Sequence, residues 1–337
     1  MFSHEAETAG ILNDRRPVYR PEVMASPGSY RAGPECPGRK DAPMPSPDTS
    51  VTPADVPAVP GPLVPPPAVR ASGLTDVGRV RESNEDHFLI AELARTLWVH
   101  ETSLPQLTTQ YGRSRGHIFL VADGMGGHQA GGVASALGLE AVGAYVLHLL
   151  KRFSNLQAGD ESGVLRDFQE ALRQADARIV EEAAQHPEFG GMGTTLTLAF
   201  VSGWRLFVCH AGDSRCYLYR GGELRQVTAD DTVAAGLARA GVIKPEEVGQ
   251  HRYRHLVTNI LGRGTTTVQV VRVDLQAGDA VLLCSDGLTE MLPDVRIAAV
   301  LGSEPDPRKA CTRLVSEANA AGGRDNITAV VARFEVA

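Results

Sequence analysis

Acidic residues at the ends of apolar runs are the first candidates for chemistry. Asp123 closes the run Ile118-Phe119-Leu120-Val121-Ala122 and is followed by Gly124-Met125-Gly126-Gly127. Asp286 closes Val281-Leu282-Leu283-Cys284-Ser285 and precedes Gly287. Asp325 stands in Gly323-Arg324-Asp325-Asn326, just ahead of the last apolar run. Glu85 and Asp86 are adjacent in Arg81-Glu82-Ser83-Asn84-Glu85-Asp86, and Asp213 lies in Ala211-Gly212-Asp213-Ser214-Arg215. Singly, an Asp-Gly pair after a strand is a turn, because Asp bonds its own backbone and Gly accepts φ > 0. Together they mean more. If the strands converge, several carboxylates meet at one end of the sheets and cannot all stay ionised without compensating charge. Few lysines or arginines stand near these positions, so the expected compensation is a hard dication with oxygen ligands. No His- or Cys-rich cluster competes, which argues against structural zinc. A glycine after a ligand aspartate lets the backbone approach an ion, and Gly124 is the candidate to offer its carbonyl.

The elements that must position these acids are β-rich runs at 117–122, 194–201, 205–209, 216–219, 268–274, 280–285 and 327–334. They are rich in Val, Leu, Ile and Thr and bounded by Gly, Asp or Asn. Helices are expected at 132–152, behind a glycine-rich loop, and at 307–320. A third is expected at 164–184, where Leu165, Phe168, Leu172, Ala175 and Ile179 recur at helical spacing. Short turns at Gly203-Trp204 and Gly221-Gly222 favour antiparallel hairpins over βαβ units. Two packed sheets with helices outside would bury this much apolar sequence.

Composition changes near residue 70. Fifteen of the 21 prolines lie between Pro17 and Pro67. Proline removes backbone donors and restricts the residue before it, so residues 1–70 read as a disordered, polyproline-like tail and 71–337 as one α and β domain. The net charge of −7 and the lack of any Lys/Arg-rich run argue against nucleic-acid binding. The five cysteines have no metal-ligand spacing and read as reduced, buried thiols. The first ten residues are polar and acidic, unlike a secretory signal, and the apolar stretch 133–150 is interrupted by Glu140 and His148. No membrane association and a cytoplasmic location are therefore expected.

In order, the motifs are Thr75-Asp76-Val77-Gly78 with Arg81 and Asn84-Glu85-Asp86; Val121-Ala122-Asp123-Gly124-Met125-Gly126-Gly127-His128; Gly191-Met192-Gly193-Thr194-Thr195; Ala211-Gly212-Asp213-Ser214-Arg215; Leu261-Gly262; Cys284-Ser285-Asp286-Gly287-Leu288; and Gly323-Arg324-Asp325-Asn326-Ile327-Thr328. This ordered set resembles the metal-dependent protein phosphatase family, type 2C, in its bacterial branch. The resemblance implies an α+β fold, a four-layer αββα β-sandwich flanked by helices. It implies two Mn²⁺ or Mg²⁺ ions, and room for a third. Asp123 would bridge two ions, Asp286 and Asp325 would complete one site, and Glu85, through water, with the Gly124 carbonyl would serve the other. Asp86 would hydrogen-bond a water at the metals, Arg81 would bind the substrate phosphate, and Asp213 with Asp286 and Glu290 would hold the third, looser ion. The implied activity is hydrolysis of phosphoserine and phosphothreonine by a water activated between two metals. The implied partners are phosphorylated proteins, a Ser/Thr kinase or its targets.

Three departures stand out. Met125 occupies the place of a histidine that the eukaryotic branch uses as a general acid, and His128, three residues on, reads as structural or exposed. Asp231 replaces the histidine that the family has at the start of a flap running to about His255. An insertion is expected between Ala91 and Arg115, forming a surface loop with Trp98, His100 and Tyr111. A catalytically dead relative and a phosphoesterase of small molecules remain alternatives, separable by metal-dependent turnover and by substrate preference.

Overall fold

The computed structural model describes residues 65–97, 110–126, 130–149 and 161–337. The chain divides into two units, 1–60 and 61–337; the first, most of the expected proline-rich tail, lies outside the described residues. In chain order come β1 (Pro67–Asp76), β2 (Asp86–Leu97), β3 (Gln110–Met125), α1 (Ala130–Leu149), α2 (Glu161–Gln185), β4 (Gly193–Thr194), β5 (Leu196–Ser202), β6 (Arg205–Ala211), β7 (Arg215–Arg220), β8 (Glu223–Gln226), α3 (Val233–Arg239), β9 (Gln269–Asp274), β10 (Ala280–Cys284), α4 (Asp286–Thr289), α5 (Asp294–Ser303), α6 (Pro307–Ala320) and β11 (Ile327–Val336).

The strands form two sheets, ordered β1-β11-β10-β7-β8 and β2-β3-β5-β6-β9, with β4 paired to β3. Every strand pair is antiparallel. The continuous apolar runs are explained by burial on both faces. On β3, Phe119 and Val121 face the space between the sheets, whereas Ile118, Leu120 and Ala122 face α1 and α2. On β10, Val281 and Leu283 point inward and Leu282 and Cys284 meet α5 and α6; β11 does the same with Val330 and Ala332 against Ala329 and Val331. Period-two alternation thus feeds two cores at once. Helices α1 and α2 cover one sheet and α5 and α6 the other, which makes the four layers expected. No described helix is long and apolar enough to cross a membrane.

Two boundaries differ from expectation. The expected tail ends early, because β1 already begins at Pro67, paired with Val336. Proline is tolerated there because it opens an edge strand, where a missing N–H removes little of the ladder. The expected insertion is in large part a longer hairpin: β2 and β3 stay paired out to Leu97↔Gln110, with a register shift between Ala94 and Thr96. Residues 98–109, with Trp98 and His100, lie outside the described residues.

Candidate metal centre

The acids converge because the strand ends do. Asp86 opens β2 and Asp123 nearly closes β3, and the two are directly opposed in the register. Asp286 follows β10 as the first residue of α4, and Asp325 comes just before β11. Since β10 and β11 are neighbours in one sheet and β2 and β3 in the other, four carboxylates face each other across the sandwich edge. Glu85, Asp123, Gly124, Asp213, Asp286, Glu290, Asp325 and Arg81 all line one cavity of about 1430 Å³, with Met125 on its wall.

Each acid is held by local chemistry. The Asp123 amide donates to Thr195 Oγ1 at 3.0 Å, and its carbonyl accepts from Thr195 N at 2.9 Å and Thr194 Oγ1 at 2.9 Å. Asn326 ties the Arg81–Asp86 segment down: its Oδ1 accepts from Glu85 N at 2.8 Å, and its Nδ2 donates to Val77 O at 3.0 Å and Ser83 O at 2.9 Å. Ser135 Oγ, on α1, donates to Glu85 O at 2.6 Å. Asp86, directly opposed to Asp123 in the register, is 3 % exposed. Its Oδ2 accepts from Ser285 Oγ and Thr328 Oγ1, both at 2.7 Å, while its Oδ1 is buried with no partner. Arg81 Nη2 donates to Asp325 Oδ2 at 2.6 Å.

The electrostatics are those of an under-compensated anionic pocket. Burial, then repulsion from Asp86 and Asp286, holds the Asp123 carboxyl well above the ordinary carboxylate range. Burial, then Asp213 and Glu290, does the same to Asp286. Asp86 is pushed up to about 6 by burial, against the two hydroxyls that favour its charged form. Asp213 is pushed up to about 7, by burial and then by Asp230. Glu85 is raised, chiefly by burial. The Arg81 guanidinium is held still more firmly protonated by its hydrogen bond to Asp325.

The residues present fit a pair of hard dications. The donors are carboxylates plus a backbone carbonyl, the oxygen set such ions take. The cradle is shaped for close approach: a Cβ on Gly131 would fall 2.4 Å from Glu85 Oε2, and one on Gly124 would fall 2.1 Å from Gly131 O. The unpartnered Asp86 Oδ1 is a buried acceptor that calls for a proton or a donor.

Two further features were not read from the sequence. His255 lines the cavity and pairs with Glu290, and ligand atoms of His255, Asp286 and Glu290 lie within 4.8 Å of one another. Asp213 is not part of that group. The sequence marks His255 only as the far limit of the flap; a lone histidine twenty-four residues from Asp231 carries no spacing signal. Asp231, 8 % exposed, is a hub at the flap's two roots. Its carboxylate accepts from Gly212 N at 3.3 Å, Asn259 Nδ2 at 2.7 Å and Gln269 Nε2 at 2.9 Å. Its carbonyl accepts from Thr258 N at 2.7 Å and its amide donates to Gly212 O at 2.7 Å. The acid in place of the histidine therefore ties the flap to the loop that carries Asp213. His128 lies outside the described residues.

The profile of the family described as Protein phosphatase 2C matches residues 108–324. The chain is 38% identical over 215 residues to the Mycobacterium tuberculosis serine/threonine protein phosphatase PstP, an alignment spanning 64% of this chain and 40% of that protein. It is 31% identical over 258 residues to the Listeria innocua serine/threonine phosphatase stp, spanning 76% of this chain and 92% of the relative. Among solved structures, the Mycobacterium tuberculosis phosphatase PstP/Ppp superposes with a TM-score of 0.64 at 34% identity, over 79% of this chain and 99% of that one. The PstP catalytic domain in complex with 2 manganese ions superposes with a TM-score of 0.61 at 34% identity, over 79% and 98%. With this profile, these relatives and a four-layer sandwich whose strand ends gather the acids, the chain belongs to the protein phosphatase 2C family.

Proposed function

We propose that the protein is a metal-dependent phosphatase of phosphoserine and phosphothreonine in proteins, acting against a Ser/Thr kinase or on that kinase's targets in the cytoplasm. The observation that carries the reading is the single cavity in which Glu85, Asp123, Asp286 and Asp325 converge beside Arg81. Relatives named as serine/threonine phosphatases, and a PstP catalytic domain in complex with 2 manganese ions, support the substrate class and the ions. The four described cysteines are all free and buried, which agrees with a reducing compartment.

Asp123, Asp286 and Asp325 would hold one Mn²⁺ or Mg²⁺, and Asp123, the Gly124 carbonyl and, through water, Glu85 the other; Asp213, with Asp286 and Glu290, would serve a third. Such ions, when bound, supply the positive charge and Lewis acidity that make a water nucleophilic near neutral pH. Asp86 is fixed through Oδ2 by Ser285 and Thr328, and its unpartnered Oδ1 would accept from a water at the metals and so orient it. Arg81 offers a guanidinium fork to the phosphate oxygens. Attack in line with the seryl or threonyl oxygen breaks that P–O bond and forms one to the water oxygen, and no phospho-enzyme is required. With Met125 where a histidine acid would stand, the leaving oxygen takes its proton from water.

The test compares phosphothreonine peptides with nucleotides and sugar phosphates at saturating Mn²⁺, with and without chelator. Peptide turnover that needs Mn²⁺ and falls at least about 100-fold in Asp286→Asn, whose fold persists, is expected. Stronger turnover of the small phosphates, or full activity of Asp286→Asn, would refute the reading.

A further inference from the structure

Two arginines line the cavity that holds the acids, Arg81 and Arg263. Arg81 is engaged with Asp325 at 2.6 Å. Arg263 is exposed, and its side chain makes no hydrogen bond or ion pair among the described residues. Elsewhere in the domain Arg215, Arg220, Arg296 and Arg313 each hold a carboxylate.

The turn that presents Arg263 is built with unusual care for a surface position. Asp176 of α2 is only 5 % exposed, and its carboxylate accepts from Gly262 N at 2.6 Å, Arg263 N at 3.1 Å and Gly264 N at 3.1 Å, with Thr266 N at 3.5 Å. Burying a carboxylate is costly unless its oxygens are satisfied, and here the donors come from one short backbone segment. Gly262 and Gly264, on either side of Arg263, have φ of +97° and +74°. A Cβ on Gly262 would fall 2.8 Å from Met192 O, so the turn has no room to shift on that side. The turn is also tied to the acids. Leu261 exchanges backbone hydrogen bonds with Thr194, at 3.1 and 2.9 Å, and Thr194 Oγ1 in turn donates to the Asp123 carbonyl at 2.9 Å. Arg263 therefore lines the cavity from a root fixed relative to Asp123, with an exposed side chain not engaged by any described residue.

We infer that Arg263 is a specificity-determining residue that binds a second anionic group on the substrate, close in sequence to the phosphoresidue being hydrolysed. This rests on the proposed protein-phosphatase reading and names its substrate class: polypeptides with a carboxylate or a further phosphate beside the target residue. A preorganised fork recognises either group through paired hydrogen bonds. Leu256, 54 % exposed on the same cavity wall, gives the flanking residue's carbon chain an apolar surface to lie on.

The experiment uses the full chain with Mn²⁺ and three phosphothreonine peptides alike except for their flanks: neutral, two glutamates, or a second phosphothreonine. Wild type should favour one or both anionic peptides over the neutral one by about fivefold in kcat/KM, mostly through KM, the size expected of one charge-assisted contact at a partly exposed site. In Arg263→Ala that ratio should fall to about one, in Arg263→Glu below one, and Arg263→Lys should restore part of it. A purely structural role would lower all three peptides together and leave the ratio in place. Preference for the bisphosphorylated peptide alone assigns the contact to phosphate, and equal preference assigns it to either anion. Turnover of all three without a flank effect, or a ratio that survives Arg263→Ala, overturns the inference while leaving the phosphatase reading intact. No Mn²⁺-dependent turnover of any peptide overturns both.

Discussion

Removing a buried acid beside the proposed metal centre should make the metal-free protein more stable at neutral pH, and Asp86 is the place to see it. Its carboxyl is raised from 3.8 to about 6, first by burial and only partly countered by Ser285 and Thr328. For an acid raised on folding, the sign is the reverse of the usual carboxylate case. Below pH 3.8 both states are protonated and the group contributes nothing. Between 3.8 and about 6 the unfolded chain ionises first, so the folded state loses stability as pH rises. Above about 6 the loss is complete and constant, at about 3 kcal/mol. In a domain of this size that corresponds to a fall in Tm on the order of 5–10 °C.

Asp86→Asn cannot ionise. Its amide oxygen can still accept from Ser285 and Thr328, and its NH₂ replaces an oxygen that already lacks a partner. Any cost of that unpaired amide is the same at every pH, so only the pH-dependent part of the difference reports on the charge. Thermal unfolding of wild type and Asp86→Asn in chelator, from pH 4 to 8, should show the mutant gaining on wild type up to about pH 7 and then levelling. Excess Mn²⁺ should raise both Tm values and narrow the gap at neutral pH, because ions bound only by the folded state add stability to both and their charge offsets the cost of the ionised Asp86 in wild type alone. A difference in Tm that stays flat from pH 4 to 8 in chelator would refute the account of the pocket as under-compensated.

Three other outcomes follow from the geometry. Arg81→Ala should raise KM about tenfold with a smaller change in kcat, since ground-state phosphate binding loses a charged donor; an unchanged KM in steady-state assays would remove Arg81 from the phosphate site. Gly131→Ala should push the Glu85 carboxylate aside, its Cβ falling 2.4 Å from Glu85 Oε2, and weaken calorimetric Mn²⁺ binding by about tenfold while the circular dichroism is preserved. Asp231→Asn should loosen the flap. Asn259 Nδ2 and Gln269 Nε2 both point donors at this carboxylate, and their own oxygens are taken by Thr267 N and Ala229 N, so an amide at 231 meets a donor it cannot pair with. Tryptic cleavage at exposed Arg252 and Arg254 should accelerate about tenfold, from about 1–3 kcal/mol of lost hydrogen bonding; cleavage at the wild-type rate would show that the hub does not hold the flap.

What could be read from the sequence, and what could not, divides along a physical line. Runs buried on both faces announced themselves: 280–284 is apolar at every position and 327–334 at all but Thr328 and Arg333, because each feeds two cores, and 307–320 coincides with α6. The edge strand β1 did not, because it pairs on one side only and its sequence, Pro-Ala-Val-Arg-Ala-Ser-Gly-Leu-Thr-Asp, is half polar and opens with a proline. Acids could be nominated for the cavity because each stands at or beside one end of a strand, a position that sequence marks by a break in apolar pattern. Groups whose placement depends on a turn left no such mark. Arg263 looks like any surface arginine between two glycines until Asp176 is seen to clasp the turn. Yet Asp176 did carry a signal. It sits three residues before Ile179 and four after Leu172, on the buried stripe of α2, where an acid is costly unless something donates to it. A carboxylate on an apolar stripe is therefore a prediction that a loop elsewhere in the chain presents several backbone N–H groups, and a segment such as Gly262-Arg263-Gly264, able to adopt positive φ twice, is what to look for. Asp231 obeys the same rule in a different setting: the departure from the family's histidine is legible, but its meaning lies in donors from Gly212, Asn259 and Gln269, which only the fold brings to one point.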